Sequence, residues 1–233
     1  MALTPQSQEA FMREVDDELR RDQMTSFWTR WGLWVIGAIV IGLALFGAYL
    51  FWQHRQREAA GAEGEQLQAA YDALAAADVK GASAKLAPLA TSDRDGYRVL
   101  AQFTQADILL QKDDLKGAAA KFAAVAADTS LAQPFRDLAL IRQTAAEYDT
   151  LKPQVVVERL RTVAVPGNPY FGSAGEMVAV AHLRMNRRDQ AGRLFGQIAQ
   201  DKDVPDTLRQ RAVQMAGVLS VDAVTRNEDT KTQ

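Results

Sequence analysis

The sequence lacks cysteine and has only two histidines, His54 and His182, among its 233 residues. The lack of cysteine excludes disulfide scaffolds, cysteine zinc sites, iron–sulfur clusters and thiol nucleophiles. Two histidines leave little material for a multi-histidine metal site or a Ser/His/Asp triad. The carboxylates are scattered, and no pair stands out with a histidine or lysine partner. We therefore expect no catalytic, cofactor-binding or metal-binding residues, no cofactor, and a protein that is not an enzyme.

Excess charge of either sign is also missing. The chain has 27 Lys and Arg against 29 Asp and Glu, which gives a net charge of -2. Nucleic-acid binders usually carry a strong basic excess, so we expect no nucleic-acid partner. No small-molecule substrate is indicated either. Glycine and proline are sparse, at 15 and 7 residues, whereas alanine is abundant. This composition favours closely packed helices and an all-α fold.

One long apolar run is present, from Trp31 to Trp52, with the sequence WGLWVIGAIVIGLALFGAYLFW. As a helix it would be about 33 Å long, close to the ~30 Å hydrocarbon core of a bilayer. All four tryptophans lie at or near its ends, which is typical of residues at the membrane interface. We expect a transmembrane helix at 31–52, a lipid bilayer as partner, and interface anchors at Trp28, Trp31, Trp34 and Trp52.

Arginines on the two sides of this run predict its orientation. The 20 residues before it contain Arg13, Arg20, Arg21 and Arg30, and the 20 after it contain Arg55 and Arg57. Because positive charge is retained in the cytoplasm, we expect a cytoplasmic N-terminus and an exported C-terminal part. In a bacterium this is a single-pass protein of the inner (plasma) membrane with a periplasmic C-terminal domain.

A repeat follows the apolar run. A small or β-branched residue precedes a large apolar one by four positions, and successive large residues are 36, 38 and 35 positions apart. The pairs are Ala82/Leu86, Ala118/Phe122, Val156/Leu160 and Ala191/Phe195, and twelve positions earlier lie Ala70, Ala106, Thr144 and Ala179. A period near 34 is typical of helix–turn–helix repeats, in which small residues allow two helices to cross closely. We expect an α-solenoid of about four such units, the third irregular.

The order of these parts resembles a known family. The matching segments are FMREVDDELRRDQM, WTRWG, GNPYF and the last unit, AVAHLRMNRRDQAGRLFGQIAQDKDVPDTLRQRA. They resemble bacterial single-span proteins with a tetratricopeptide-like domain, the family of the ancillary SecYEG translocon subunit. The resemblance implies a membrane-bound protein partner, namely the protein-export translocon or periplasmic chaperones. An assembly scaffold for another inner-membrane or cell-envelope complex is the alternative, and self-association into a homo-oligomer is left open.

These observations divide the chain into five parts. Residues 1–30 form a cytoplasmic arm with a short amphipathic helix, and 31–52 form the transmembrane helix. Residues 53–64 are a juxtamembrane linker with a flexible joint at Gly61 and Gly64. Residues 65–225 are the tetratricopeptide-like repeat domain, and 226–233 are a disordered tail.

Repeat proteins of this kind bind partners along the wall formed by the first helix of each pair. The repeat register places six residues there: Leu67, Tyr71, Phe103, Asp107, Val180 and Arg184. Exposed aromatic residues on such a wall would bind a protein partner. The alternative is that these side chains pack against the next helix.

Overall fold

The computed structural model describes the backbone of residues 5–229 and the side chains of residues 28–219. This part of the chain contains helices and no strand. In chain order they are α1 (Pro5–Ala75), α2 (Val79–Leu89), α3 (Asp95–Gln111), α4 (Leu115–Ala127), α5 (Gln133–Glu147), α6 (Pro153–Leu160), α7 (Phe171–Arg184), α8 (Arg188–Gln200) and α9 (Asp206–Asp229). The chain divides into two compact units, one ending at Ala62 and one beginning at Glu63.

The first unit is the N-terminal portion of α1. Among the described residues, α1 is the one helix long and apolar enough to cross a membrane, with a mean hydropathy of 2.3 over its most apolar 18 residues. None of that stretch is buried. Leu33, for example, is 88% exposed and Leu45 is 67% exposed. The apolar run at 31–52 therefore forms a helix whose side chains have no protein core to pack against.

The second unit is a stack of four helical pairs followed by α9. The end of α1 pairs with α2, α3 with α4, α5 with α6, and α7 with α8. All twelve residues that define the sequence repeat are buried, none more than 1% exposed. Ala118 and Ala106, for instance, are fully buried beside Phe122 in one core cluster. The predicted all-α repeat fold is confirmed.

Three of the four pairs turn in the same way. Ala77, Asp113 and Asn186 each have a positive φ, between 57° and 59°, directly after the first helix of their pair. The next amide then donates to a carbonyl five residues back, as Asp114 N does to Leu109 O. This is the Schellman arrangement, which satisfies the last carbonyls of a helix. The repeat is thus conformational as well as compositional.

The third pair departs from this pattern, as the sequence indicated. Its turn at Asp149–Lys152 contains no positive φ, and α6 has only eight residues. Thr144 takes the place of the small residue, and its hydroxyl donates to the carbonyl of Leu140 at 2.8 Å or less, namely 2.7 Å. This bond satisfies a polar group that is fully buried.

The GNPYF segment closes this pair. Gly167 has a φ of 88°, which a side chain rarely tolerates. Next to it, the side-chain amide of Asn168 donates to the buried carboxylate of Asp137 at 2.9 Å. The side-chain oxygen of Asn168 also accepts a bond from Tyr170 N at 2.8 Å. Asn168 therefore fixes the long connection between α6 and α7 onto α5.

Two predicted boundaries are wrong. The expected joint at Gly61 and Gly64 is helical, because α1 continues through both glycines. A glycine inside a helix costs only about 1 kcal/mol, which the rest of a long helix can offset. Residues 226–229 of the expected tail belong to α9, and residues 230–233 lie outside the described residues. The side chains of the N-terminal arm up to residue 27 also lie outside them.

Candidate functional site

The six predicted wall residues lie on three first helices: Leu67 and Tyr71 on α1, Phe103 and Asp107 on α3, and Val180 and Arg184 on α7. Their exposure differs sharply. Leu67 and Phe103 are buried, whereas Tyr71 is 38% exposed and Arg184 is also exposed. Asp107 and Val180 are half-buried. The accessible part of the set therefore consists of Tyr71 and Arg184, with Asp107 and Val180 partly available.

Phe103 and Asp107 form a cluster with α4 and α5. The rings of Phe103 and Phe122 meet edge to face, with centroids 5.5 Å apart. The guanidinium of Arg142, from α5, lies 4.8 Å from the centroid of Phe122 and 5.8 Å from that of Phe103. The same guanidinium donates to the carboxylate of Asp107. These contacts combine cation–π attraction with a charged hydrogen bond and fasten α5 to the preceding pair.

Arg142 was missed by the sequence reasoning. The available signal was its spacing from Asp107, which is 35 residues, the length of one repeat. An opposite charge one repeat away lies on the neighbouring first helix, where the two side chains can meet. The same spacing joins Glu176 and Arg211, whose side chains form two hydrogen bonds of 3.0 and 2.6 Å between α7 and α9.

Arg184 is exposed but also holds α7 to the third pair. Its guanidinium donates to the carbonyl of Tyr148 at 3.0 Å and lies 5.5 Å from the ring centroid. The Tyr148 hydroxyl in turn donates to the carbonyl of Met177 at 2.9 Å. Burial raises the pKa of Tyr148, while the nearby Arg184 charge opposes that shift. Tyr148 is therefore a neutral structural donor over the physiological range.

Additional apolar surface lies near the predicted residues. Leu100, on the same helix as Phe103, is 43% exposed. Helices of stacked pairs present such residues when no further layer covers them, and exposed leucine or tyrosine is suited to contact with another protein. Leu100 and Tyr71 are thus the large apolar residues that the first two pairs offer to a partner on their first helices.

His182 is the remaining group of chemical interest in the repeat domain. Its Nδ1 atom is buried and has no hydrogen-bond partner. Burial lowers the pKa of His182, and the charges of Arg187 and Arg193 lower it further. Among the described residues no group of three or more His, Asp or Glu side chains is placed to hold a metal ion. The imidazole is accordingly a neutral, packed side chain.

The four tryptophans all project from α1. Trp28 and Trp31 are each 54% exposed, Trp34 is 74% exposed, and Trp52 is 60% exposed. Just beyond Trp52, the guanidinium of Arg55 lies 5.3 Å from the ring of Phe51. Indole and guanidinium groups at the ends of an apolar helix are the groups expected at lipid headgroups.

Comparison with known proteins gives a family. The sequence profile of the family described as "Tetratricopeptide repeat-like domain" matches residues 25–215, which is well over half of the chain. No curated protein and no solved structure matches the chain. The matched range covers the four helical pairs and most of the apolar run. The chain therefore belongs to the tetratricopeptide repeat-like domain family.

Proposed function

We propose that this protein is a membrane-anchored interaction module, which holds a protein partner at the membrane and catalyses no reaction. The observation that carries the proposal is the presence in one chain of a tetratricopeptide repeat-like domain and a helix whose apolar side chains are wholly uncovered. Repeat domains of this kind suggest protein partners, because stacked pairs expose long surfaces for binding.

The argument for a membrane is energetic. Leaving a large apolar side chain in water costs about 1.5–3 kcal/mol relative to burial. The run at 31–52 exposes many such side chains, including Ile39, Leu43 and Phe46, each more than half exposed. Their summed cost far exceeds the stability of an ordinary domain. A bilayer removes this cost, and the length of the run fits its hydrocarbon core.

The arginine excess before the run supports a cytoplasmic N-terminus and a periplasmic repeat domain at a bacterial inner membrane. The membrane confines the repeat domain to a thin layer and so raises its effective concentration toward other membrane-bound proteins. A weak binding surface is sufficient under that condition. The partner is then itself membrane-bound or emerging from the membrane.

For the partner we propose the protein-export translocon and its periplasmic chaperones, on the basis of the resemblance carried by the arm, the span and the last repeat. The alternative is a scaffold for another inner-membrane or envelope complex. The candidate contact residues are Tyr71, Leu100, Val180 and Arg184, because each has side-chain surface left for a partner.

Photo-crosslinking in native membranes tests the proposal. A photoreactive phenylalanine analogue replaces Tyr71 or Leu100 in the full chain, and adducts are identified by mass spectrometry. The matched controls carry the analogue at Ala84 and Ala124, which are exposed on the second helices α2 and α4. We expect translocon or chaperone adducts from the first-helix positions only. Adducts with a different envelope complex would favour the scaffold, and equal labelling at the control positions would contradict the proposed surface.

A further inference from the structure

Arginines are concentrated where the fourth pair turns. Arg184 ends α7, Arg187 precedes α8, and Arg188 and Arg193 lie on α8. We define the first, second and last of these, Arg184, Arg187 and Arg193, as the arginine cluster, and all three are exposed. Arg187 and Arg193 both act on the imidazole of His182, which places their charges close to one another across the α7–α8 pair.

The fold leaves this charge without compensation. Within the described side chains, Arg187 and Arg193 form no ion pair, in contrast to Arg142, Arg159 and Arg211, which each bind a carboxylate. Asp189 is the one acidic residue between positions 182 and 193. The segment therefore carries a local positive excess in a chain whose net charge is -2.

Uncompensated like charges are unfavourable for the isolated domain. Guanidinium groups that face one another repel, and they also disfavour protonation of His182. Neither Arg187 nor Arg193 gains a structural contact in return. Arg184, by comparison, fastens α7 to Tyr148 and so has a structural role. Arg187 and Arg193 thus have the features of residues whose counter-charges come from another molecule.

We propose that the arginine cluster is a docking surface for an acidic segment of a protein partner. The inference rests on the proposed function, and it specifies the chemistry of the partner. Arginine binds carboxylates with paired hydrogen bonds, so a stretch of Asp and Glu side chains supplies the missing partners. Val180 lies one helical turn before Arg184 and is half-buried, so an apolar side chain of the same segment finds a neighbour there.

Binding of a defined probe tests this surface on the full chain. The protein is placed in nanodiscs of zwitterionic lipid, and a fluorescein-labelled Glu-rich peptide is titrated by anisotropy. The test variant is Arg187→Gln/Arg193→Gln. Its matched control is Lys80→Gln/Lys202→Gln, which removes the same charge from exposed positions elsewhere in the repeat domain. A Gln-for-Glu version of the peptide serves as the control probe.

We expect the arginine variant to bind the Glu-rich peptide about tenfold more weakly, as the loss of two ion pairs implies, and the lysine variant to bind within twofold of the native protein. Rising salt should weaken native binding, because exposed charges are screened. Equal loss in the two variants would mean attraction to net charge alone and would overturn the proposal, as would tight binding of the Gln peptide.

Thermal melting provides a second readout. Because the two arginines repel one another, the variant should melt at the same temperature as the native protein or higher. A lower melting temperature would assign them a structural role and overturn the proposal. Nanodiscs with anionic lipid should bind the peptide equally well, and loss of binding there would assign the cluster to lipid instead. Tyr71 crosslinks that persist while peptide binding fails would leave the proposed function standing and remove only this inference.

Discussion

Removal of the Phe122 ring is the sharpest test of the repeat register. Phe122 is fully buried in the core of the second pair. It packs edge to face on Phe103 and lies beneath the guanidinium of Arg142, 4.8 Å from the ring centroid. Phe122→Ala should therefore leave a cavity, break an aromatic pair and remove the surface on which a cation rests.

The expected cost follows from these contacts. Truncation of a buried Phe to Ala typically costs about 3–5 kcal/mol, and loss of the aromatic and cation–π contacts places this site toward the upper end. In a domain of this size 1 kcal/mol corresponds to roughly 2–4 °C, so the melting temperature should fall by roughly 6–20 °C. Leu100→Ala, which truncates an exposed residue of α3, is the matched control and should melt within about 2 °C of the native protein.

The tryptophans make the assay selective. All of them lie between positions 28 and 52, so indole emission reports the apolar helix and no part of the repeat domain. Full-length protein in detergent is heated while far-UV circular dichroism and tryptophan emission are recorded together. The variant should lose helical signal at lower temperature with unchanged emission. A melting temperature within 2 °C of the native value would refute the packing deduced from the repeat.

Four further predictions follow from the same structure. Ala118→Leu should lower the free energy of unfolding by about 1–3 kcal/mol, because this fully buried residue separates closely crossing helices, and chemical denaturation measures the change. Asp114→Ala should cost about 1 kcal/mol by removing the cap on Gly117 N, and Asp114→Asn should restore most of it. The pKa of His182 lies below its ordinary value of 6.5, so stability should decrease as pH falls below 6.5, and His182→Gln should reduce that pH dependence of melting. In spheroplasts an impermeant thiol reagent should label Ser83→Cys and not Ser7→Cys, and the reverse pattern would overturn the proposed orientation.

The repeat domain was predictable because its backbone geometry constrains residue size. Helices that cross closely require small residues such as Ala82 and Ala191, and these leave a regular trace in the sequence. The turns were predictable for a similar reason, since breaks in the apolar pattern coincide with residues that tolerate a positive φ or cap a helix, such as Asp114. Local rules were sufficient for these features.

Other features depend on contacts between distant residues and left weaker signals. Stacking of Arg142 on Phe103 and Phe122 requires knowledge of which side chains share a groove, which residue type alone does not give. The burial of Phe103 removes it from the accessible wall for the same reason. The helix through Gly61 was missed because glycine was taken as a break, whereas helix length outweighs its small local cost.

The most direct test of the account compares crosslinking to the partner with and without the anchor. The photoreactive analogue at Tyr71 is placed in three chains at native expression: the native chain, one with an unrelated apolar helix in place of residues 31–52, and one that begins at residue 58. Circular dichroism verifies that all three repeat domains are folded. If tethering is what the apolar helix contributes, the exchanged helix should preserve most of the crosslinked partner and the unanchored chain should lose it. Equal crosslinking from the unanchored chain would contradict the account.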